Sequence, residues 1–258
     1  PGVVVKFAFP YSSLAINGTL NANGTDSQPI YFTSIKDDTV GGDTNNDGSF
    51  STPAPKDWGR IIIQDGTANI SYGTIRFSGY INYVGLQVSG GALSLTNSRL
   101  TQNSNINLYV NYGSANVISS EFDRADYGIY QTGGTVNISQ SSVHDNGDGL
   151  YNTSGGTLTI TDTNFQNNNR PLYLSPAVDF THSGNTATNN NINGIGMDGY
   201  LTSNRTWTKD LIPYVVFSGS STSTATSSVA ISFGATLTID PGVVVKFAFP
   251  YSSLAING

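Results

Sequence analysis

The sequence predicts an all-β solenoid of short stacked strands, with roughly 21–25 residues in each coil. The first observation is a recurring nine-residue pattern. Thr67-Ala-Asn-Ile-Ser-Tyr-Gly-Thr-Ile75 returns as Ala92-Leu-Ser-Leu-Thr-Asn-Ser-Arg-Leu100 and Ser114-Ala-Asn-Val-Ile-Ser-Ser-Glu-Phe122. It returns again as Thr135-Val-Asn-Ile-Ser-Gln-Ser-Ser-Val143 and Thr157-Leu-Thr-Ile-Thr-Asp-Thr-Asn-Phe165, so its last apolar position steps by 25, 22, 21 and 22 residues. The second is an independent apolar series, Leu86, Leu108, Ile129, Leu150 and Leu172, which steps by 22, 21, 21 and 22. One coil cannot bury its inward face alone, whereas stacked coils share a continuous core.

The third observation is composition. Asn, Ser, Thr and Gly are abundant and Glu121 is the single glutamate, a mixture that suits strands and turns and is poor in helix interiors. Charge is sparse, at 11% of residues, and net acidic. Such a surface does not attract nucleic acid or anionic lipid. No apolar run reaches the length of a membrane span or reads as a signal peptide, so no membrane insertion is expected in this segment. The chain has no cysteine, and so no disulfide framework.

Residues 1–18 recur letter for letter as residues 241–258. Eighteen identical residues do not arise by chance. The offset is 240 residues, so the chain reads as one period of a tandem array with the start of the next copy. Residues 1–182 are expected to hold the coils. Within them, each short strand is closed by Asn-Gly or Pro: Leu14-Ala-Ile-Asn-Gly, Thr19-Leu-Asn-Ala-Asn-Gly, Pro29-Ile-Tyr-Phe-Thr. Residues 36–57 break this pattern and predict a long surface loop of the kind held by a ligand or a function. The ladder starts at Trp58 and decays after Pro176. Residues 183–205, rich in Asn and Gly, predict an irregular last coil or cap. Residues 206–258 predict the entry segment and first strands of the next copy, starting near Thr206-Trp207. Within them residues 218–228 form a Ser/Thr tract expected to be a loop or linker strand.

These features resemble a right-handed parallel β-helix of the pectate-lyase-like type, and more narrowly the repeats of large bacterial surface and secreted proteins. The resemblance is carried by Leu237-Thr-Ile-Asp-Pro-Gly-Val-Val-Val-Lys-Phe, Asn17-Gly-Thr-Leu-Asn-Ala-Asn-Gly-Thr25 and Pro29-Ile-Tyr-Phe-Thr-Ser34, and by Asp37-Asp38, Gly41-Gly-Asp-Thr-Asn-Asn-Asp-Gly48 and Asp57-Trp-Gly59. It implies an architecture and a location at the cell surface or outside the cell, and says little about activity.

Asp43-Thr-Asn45-Asn-Asp47-Gly48 has the spacing of the first half of a calcium loop. Alternate oxygen-bearing side chains can converge on one ion, and the glycine permits the sharp turn. The twelfth position from Asp43 is Ala54, so the bidentate glutamate of an EF-hand is missing. Asp37, Asp38 or Asp57 can supply further oxygens. Asp, Asn and Gly also favour turns with no ion. Five aspartates within 21 residues of a charge-poor chain favour the metal, with Ca2+ preferred for a flexible all-oxygen site.

Tyr109, Tyr130, Tyr151 and Tyr173 each follow an inward apolar residue, so they should form an outward row. Such a row reads as a sugar-binding strip or, with more weight, as an aromatic ladder along a parallel sheet. Enzymes of the resembled fold place carboxylates and a basic residue on one outer sheet. Asp123, Arg124, Asp126, Asp145, Asp148 and Asp162 are the residues that fit, and Asp126 and Asp148 stand one coil apart. Aspartate is commonplace in such turns and basic partners are few, so no catalytic site is assigned. His144 and His182 are expected at the surface or in turns, and Trp58 and Trp207 over coil ends or the loop base. The reading that results is a structural repeat unit of an extracellular fibre, stalk or adhesin, with adjacent copies head to tail as partners. Its rival is a secreted polysaccharide-binding protein, lyase or hydrolase on the same fold.

Overall fold

The computed structural model describes residues 2–217 and 229–257. The Ser/Thr tract 218–228 therefore lies outside the described residues. Among these residues there are strands and turns and no helix. Every pairing between named strands is parallel, and each strand pairs with its counterpart one coil away.

A regular coil has three short strands, such as Arg99–Thr101, Ile106–Val110 and Ser114–Ile118. They lie on three faces, whose sheets have eight, ten and seven strands among the described residues. The series Leu86, Leu108, Ile129, Leu150 and Leu172 stacks in register on the second face, and all five are buried. Ile75, Leu100, Phe122, Val143 and Phe165 do the same on the first face. On the third face the period-two alternation holds. Val136, Ile138, Leu158 and Ile160 point inward while Asn137 and Thr159 face out.

The corners explain why the coils keep one length. Tyr72, Asn97, Ser119, Gln140 and Asp162 follow the third-face strands and adopt φ between 48° and 51°. Phe77, Gln102, Arg124, Asp145, Asn167 and Asn189 follow the first-face strands with φ from 53° to 64°. A single left-handed residue turns the chain sharply, at a cost of about 1–2 kcal/mol for a residue with a Cβ. The turned residues keep contributing to the coil-to-coil ladder, which offsets that cost. Asn97 N–H donates to Ile118 O at 3.0 Å, Ser119 to Ser139 O at 3.0 Å, and Asp162 to Ser183 O at 3.0 Å.

Buried polar ladders satisfy the next backbone group. Ser98 N–H donates to Ser120 Oγ (3.2 Å) and Ser120 N–H to Ser141 Oγ (3.1 Å). At the other corner Asn146 N–H donates to Asn168 Oδ1 (3.0 Å) and Asn168 N–H to Asn190 Oδ1 (2.8 Å). The side-chain amides of these asparagines donate inward to carbonyls, Asn146 Nδ2 to Phe122 O and Asn168 Nδ2 to Val143 O. A buried corner without such partners would leave donors unpaired, so the abundance of Ser and Asn is structural.

Residues 183–205, expected to be an irregular last coil or cap, contain short strands, and the first and third faces end at Thr186–Thr188 and Asp179–Ser183. They carry Thr186–Thr188, Ile195–Met197, Gly199–Leu201 and Arg205–Trp207. The first two continue the first and second faces, the second of which shortens from five-residue to three-residue strands. Beyond them the stack persists. Tyr214–Val216 and Val245–Phe247 extend the second face, while Val229–Ile231 and Leu254–Ile256 follow Gly199–Leu201 in a new sheet. Ten strands on the second face make nine steps of about 4.8 Å, a rise of about 43 Å from Leu14–Ile16 to Val245–Phe247. The 240-residue offset adds the advance of one face, about a third of a coil, and so rises about 45 Å rather than the roughly 50 Å that an unbroken 22-residue coil predicts. The difference arises largely because the long loop 36–57 adds residues without adding a coil.

Substitutions on the third face should separate the two sides of the strand. Ile160→Ala should lower stability by about 2–5 kcal/mol, since it leaves a cavity between stacked coils. Ile138→Asp should prevent folding, because the buried carboxylate has no partner. Thr159→Ala should change stability by less than about 0.5 kcal/mol. Urea midpoints give the comparison, and equal losses at positions 159 and 160 would contradict the assigned inward face.

Candidate metal centre

The loop 36–57 is tied down at both ends. Lys36 Nζ pairs with Asp57 Oδ1 at 2.7 Å, and Asp57 Oδ2 accepts from Ala54 N–H at 3.0 Å. Lys6 on strand Val4–Phe7 donates to Gly42 O, which draws the loop over the outer side of that strand. Trp58 closes the base. Its ring stacks on Phe7 at 4.0 Å and its Nε1–H donates to Arg76 O at 2.8 Å.

Within the loop, left-handed Gly41, Gly42, Asn46 and Gly48 fold the chain back on itself. The Asp43 carboxylate accepts from Asp47 N–H (3.3 Å) and Gly48 N–H (2.8 Å). Asn45 Nδ2 donates to Asp47 Oδ2 (2.7 Å) and to Ser51 Oγ (3.0 Å), which leaves the amide oxygen pointing the other way. Carboxylate oxygens of Asp38, Asp43 and Asp47 lie within 4.8 Å of one another. Asp38 Oδ1, Asn45 Oδ1 and Asp47 Oδ1 are shielded from solvent and have no hydrogen-bond partner.

This donor set fits a calcium ion. Oxygens bind Ca2+ at 2.3–2.6 Å, so two ligands on opposite sides of the ion stand about 4.8 Å apart. Three carboxylates at that separation repel one another, and orphaned oxygens lose hydrogen bonds to water without replacing them. One divalent cation would remove both penalties. Of the five residues proposed from the sequence, Asp38, Asp43 and Asp47 meet in this way, and Asn45 lies beside them through its hydrogen bond to Asp47, with its amide oxygen unpartnered.

Asp37 does not. Its carboxylate is buried and turned the other way, where it accepts from Thr33 Oγ1, Thr39 Oγ1 and the Arg76 guanidinium. Burial alone would raise this carboxyl, but those hydrogen bonds and the Arg76 charge outweigh it and hold it below its usual value. Asp37 therefore fixes the start of the loop, while its neighbour faces the oxygen cluster.

The tyrosine row exists as a stack. Ring centroids run Tyr109 to Tyr130 at 5.4 Å, Tyr130 to Tyr151 at 5.2 Å and Tyr151 to Tyr173 at 5.4 Å. Arg170 caps it, 4.0 Å above Tyr173. Rings packed on their neighbours and only partly exposed form an aromatic ladder.

The acidic residues of the outer sheets have local partners. Asp148 takes a bidentate pair from Arg170 at 2.7 and 2.6 Å, and Asp126 accepts from Asn105 at 2.6 Å. Asp123, fully buried, takes a bidentate pair from Arg99 at 3.0 and 2.8 Å. Glu121 and His144 complete this second cluster, which the sequence reading missed. Arg99 and Glu121 occupy one register position on adjacent coils, and Asp123 and His144 another. Aligning the coils by their apolar series would have put them together. His182 also departs from expectation. It is buried between Asp210 (2.9 Å) and the Tyr214 hydroxyl (2.6 Å), and burial pushes the Tyr214 phenol up. Its partners come from the stretch where the 22-residue spacing fades, so the sequence carried no signal for it.

His144 makes the outer cluster sensitive to pH. Burial works against its charge, yet hydrogen bonds to Asp145 (2.7 Å) and Glu121 (2.7 Å) outweigh it and hold the ring above its ordinary value of 6.5. The folded state thus holds this proton more tightly than the unfolded chain does. The resulting stabilisation is complete below pH 6.5 and lost as pH rises through the raised folded value. Urea midpoints should decline with pH above neutrality in the wild-type chain and decline less in H144Q. Equal slopes would contradict the network.

Residues 84–210 match the family model described as a right handed beta helix region. No curated protein and no solved structure gave a match. The same stacked, parallel coils continue on both sides of the matched stretch, from the strand Val4–Phe7 to the strand Leu254–Ile256. The chain is a right-handed parallel β-helix.

Proposed function

We propose that the chain is a structural repeat unit of an extracellular fibre, stalk or adhesin, in which copies follow one another head to tail and each binds Ca2+ through its Asp-rich loop. The observation that carries the reading is where the repeated eighteen residues fall. Residues 4–16 form the opening strands of the stack and residues 245–256 its closing strands, so one sequence occupies both ends of the period. Contacts of this kind are heterologous and generate open filaments rather than closed rings. The charge-poor, Asn- and Thr-rich composition and a loop with three clustered aspartates and no EF-hand glutamate suit a weak site filled at the millimolar calcium outside cells.

A second reading, a secreted protein that binds or cleaves polysaccharide, is favoured by the half-exposed Glu121 and His144 beside the Arg99–Asp123 pair. Release of reducing or unsaturated ends from acidic polysaccharides, abolished in E121Q, would establish it and displace the structural assignment.

Calcium at about 100 times its dissociation constant should stabilise the fold by about 2.7 kcal/mol. For a chain of this size that raises Tm by about 5–10 °C. Chelator should reverse the shift, and the D43A/D47A double variant should lose it while keeping the chelated Tm. A Tm indifferent to calcium would remove the metal from the account. Electron microscopy of the native assembly should show thin unbranched fibres, whereas monodisperse single particles would contradict the fibre.

A further inference from the structure

The two copies of the repeated segment have the same local structure. In each, a strand is followed by a tight turn in which Ser12 N–H donates to Phe9 O (2.9 Å) and Ser252 N–H to Phe249 O (2.9 Å). The serine hydroxyl accepts from the phenylalanine amide in both, at 3.2 and 3.1 Å. Their surroundings are complementary. Among the described residues, Val4–Phe7 and Leu14–Ile16 pair with the coil that follows, at Tyr31–Ser34 and Ile61–Ile63. Val245–Phe247 and Leu254–Ile256 pair with the coil that precedes, at Tyr214–Val216 and Val229–Ile231.

Exposure follows the same division. Ile16 is 5% exposed under its following coil, whereas Ile256, the same residue of the repeat, is 75% exposed. Phe7 stacks on Trp58, whereas Phe247 is 53% exposed. From the other side, Phe249 packs on Phe217 while Phe9 is 71% exposed. Each copy shows what covers the uncovered side of the other.

We infer that residues 241–258 are received by residues 29–72 of a second copy of this period, in the register with which that region holds residues 1–18. Val245 would oppose Phe32 of the second copy, Phe247 would lie on its Trp58, and Leu254 would oppose its Ile61. The outer side of the strand also fits. Lys6 is covered by Gly42 of the loop, and the corresponding Lys246 lines a cleft with Val244, Lys209 and Tyr214 that is open to such a loop.

The joint has a topological consequence. The identical strand belongs to the second face at 245–247 and to the first face at 4–7. It likewise belongs to the three-stranded sheet at 254–256 and to the second face at 14–16. A continuous stack therefore hands the second face of one copy to the first face of the next. Each period advances the sheets by one position. The inference rests on the head-to-tail reading and adds its register and its receiving edge.

Removing residues 1–18 vacates the receiving edge while leaving residues 241–258 able to fill it in a neighbouring molecule. By sedimentation, residues 19–258 should form concentration-dependent multimers at concentrations where residues 1–258 are monomeric. A peptide of residues 1–18 should cap them and restore single chains. Ile256→Asp on the shortened chain should abolish assembly without changing its circular dichroism, because Ile256 is exposed in a single copy. Folded, monomeric 19–258 that ignores the peptide would overturn the inference.

If the shortened chain does not fold, a chain of two periods decides. Leu14 N–H donates to Arg60 O at 3.0 Å, so Leu254 N–H at the seam should donate to the second copy's arginine and exchange with solvent at least about ten-fold more slowly than in one period. Equal exchange rates would overturn the joint. Native fibres combined with an unprotected seam would leave the fibre standing and reject this register. Absence of native fibres would reject the fibre whatever the seam does.

Discussion

Parallel pairing of each strand with its counterpart one coil away is the constraint on which the rest of the molecule depends. It fixes a rise of about 4.8 Å per coil and obliges equivalent positions to sit directly above one another. Like stacks on like as a result. Leu86 to Leu172 form one column, Tyr109 to Tyr173 a second, and Ser98 to Ser141 a third. Inward columns gain apolar burial, and corner columns gain satisfied donors. The outward aromatic column gains ring contacts without needing a ligand. A single substitution acts on the coils above and below, which touch it directly, and contributes little further away.

The same constraint leaves a liability. A stack of coils ends in strands whose outer hydrogen-bonding groups and inward side chains lack neighbours, and natural proteins cap, cover or pair such edges. Among the described residues Phe247 and Ile256 are exposed, where the same residues of the first copy, Phe7 and Ile16, are covered by the coil that follows. The opening strands carry the same residues already covered. One short segment thus serves as an end and as the model of its own partner, and the Asp-rich loop lies beside it because it folds back from the next coil over Lys6.

Much of this was legible because the β-helix converts a spatial stack into a linear period. Two apolar series of one spacing located the inward columns of the first and second faces, and both lie where they were placed. The spacing of Asp43, Asn45 and Asp47 singled out a loop in which carboxylate oxygens of Asp38, Asp43 and Asp47 lie within 4.8 Å of one another. The same logic misassigned Asp37, since adjacent residues point in different directions and the sequence does not say which of Asp37 and Asp38 turns in. The strands within residues 183–205 were not legible, because three-residue strands are too short to show alternation between Asn-rich corners. The His182 contacts with Asp210 and Tyr214 were illegible for a related reason, as they join residues across a stretch with no fixed period.

The central claim is that successive copies continue one stack instead of hanging as separate beads. Fibre diffraction from oriented native filaments tests it most directly. A continuous stack predicts a strong meridional reflection near 4.8 Å, with the strands across the fibre axis, together with an axial rise per copy on the order of 45 Å, set by nine coil steps and the advance of one face. An axial rise per copy well beyond that length, with the 4.8 Å reflection spread away from the meridian, would mean that the copies are tilted beads on a string and would contradict the account.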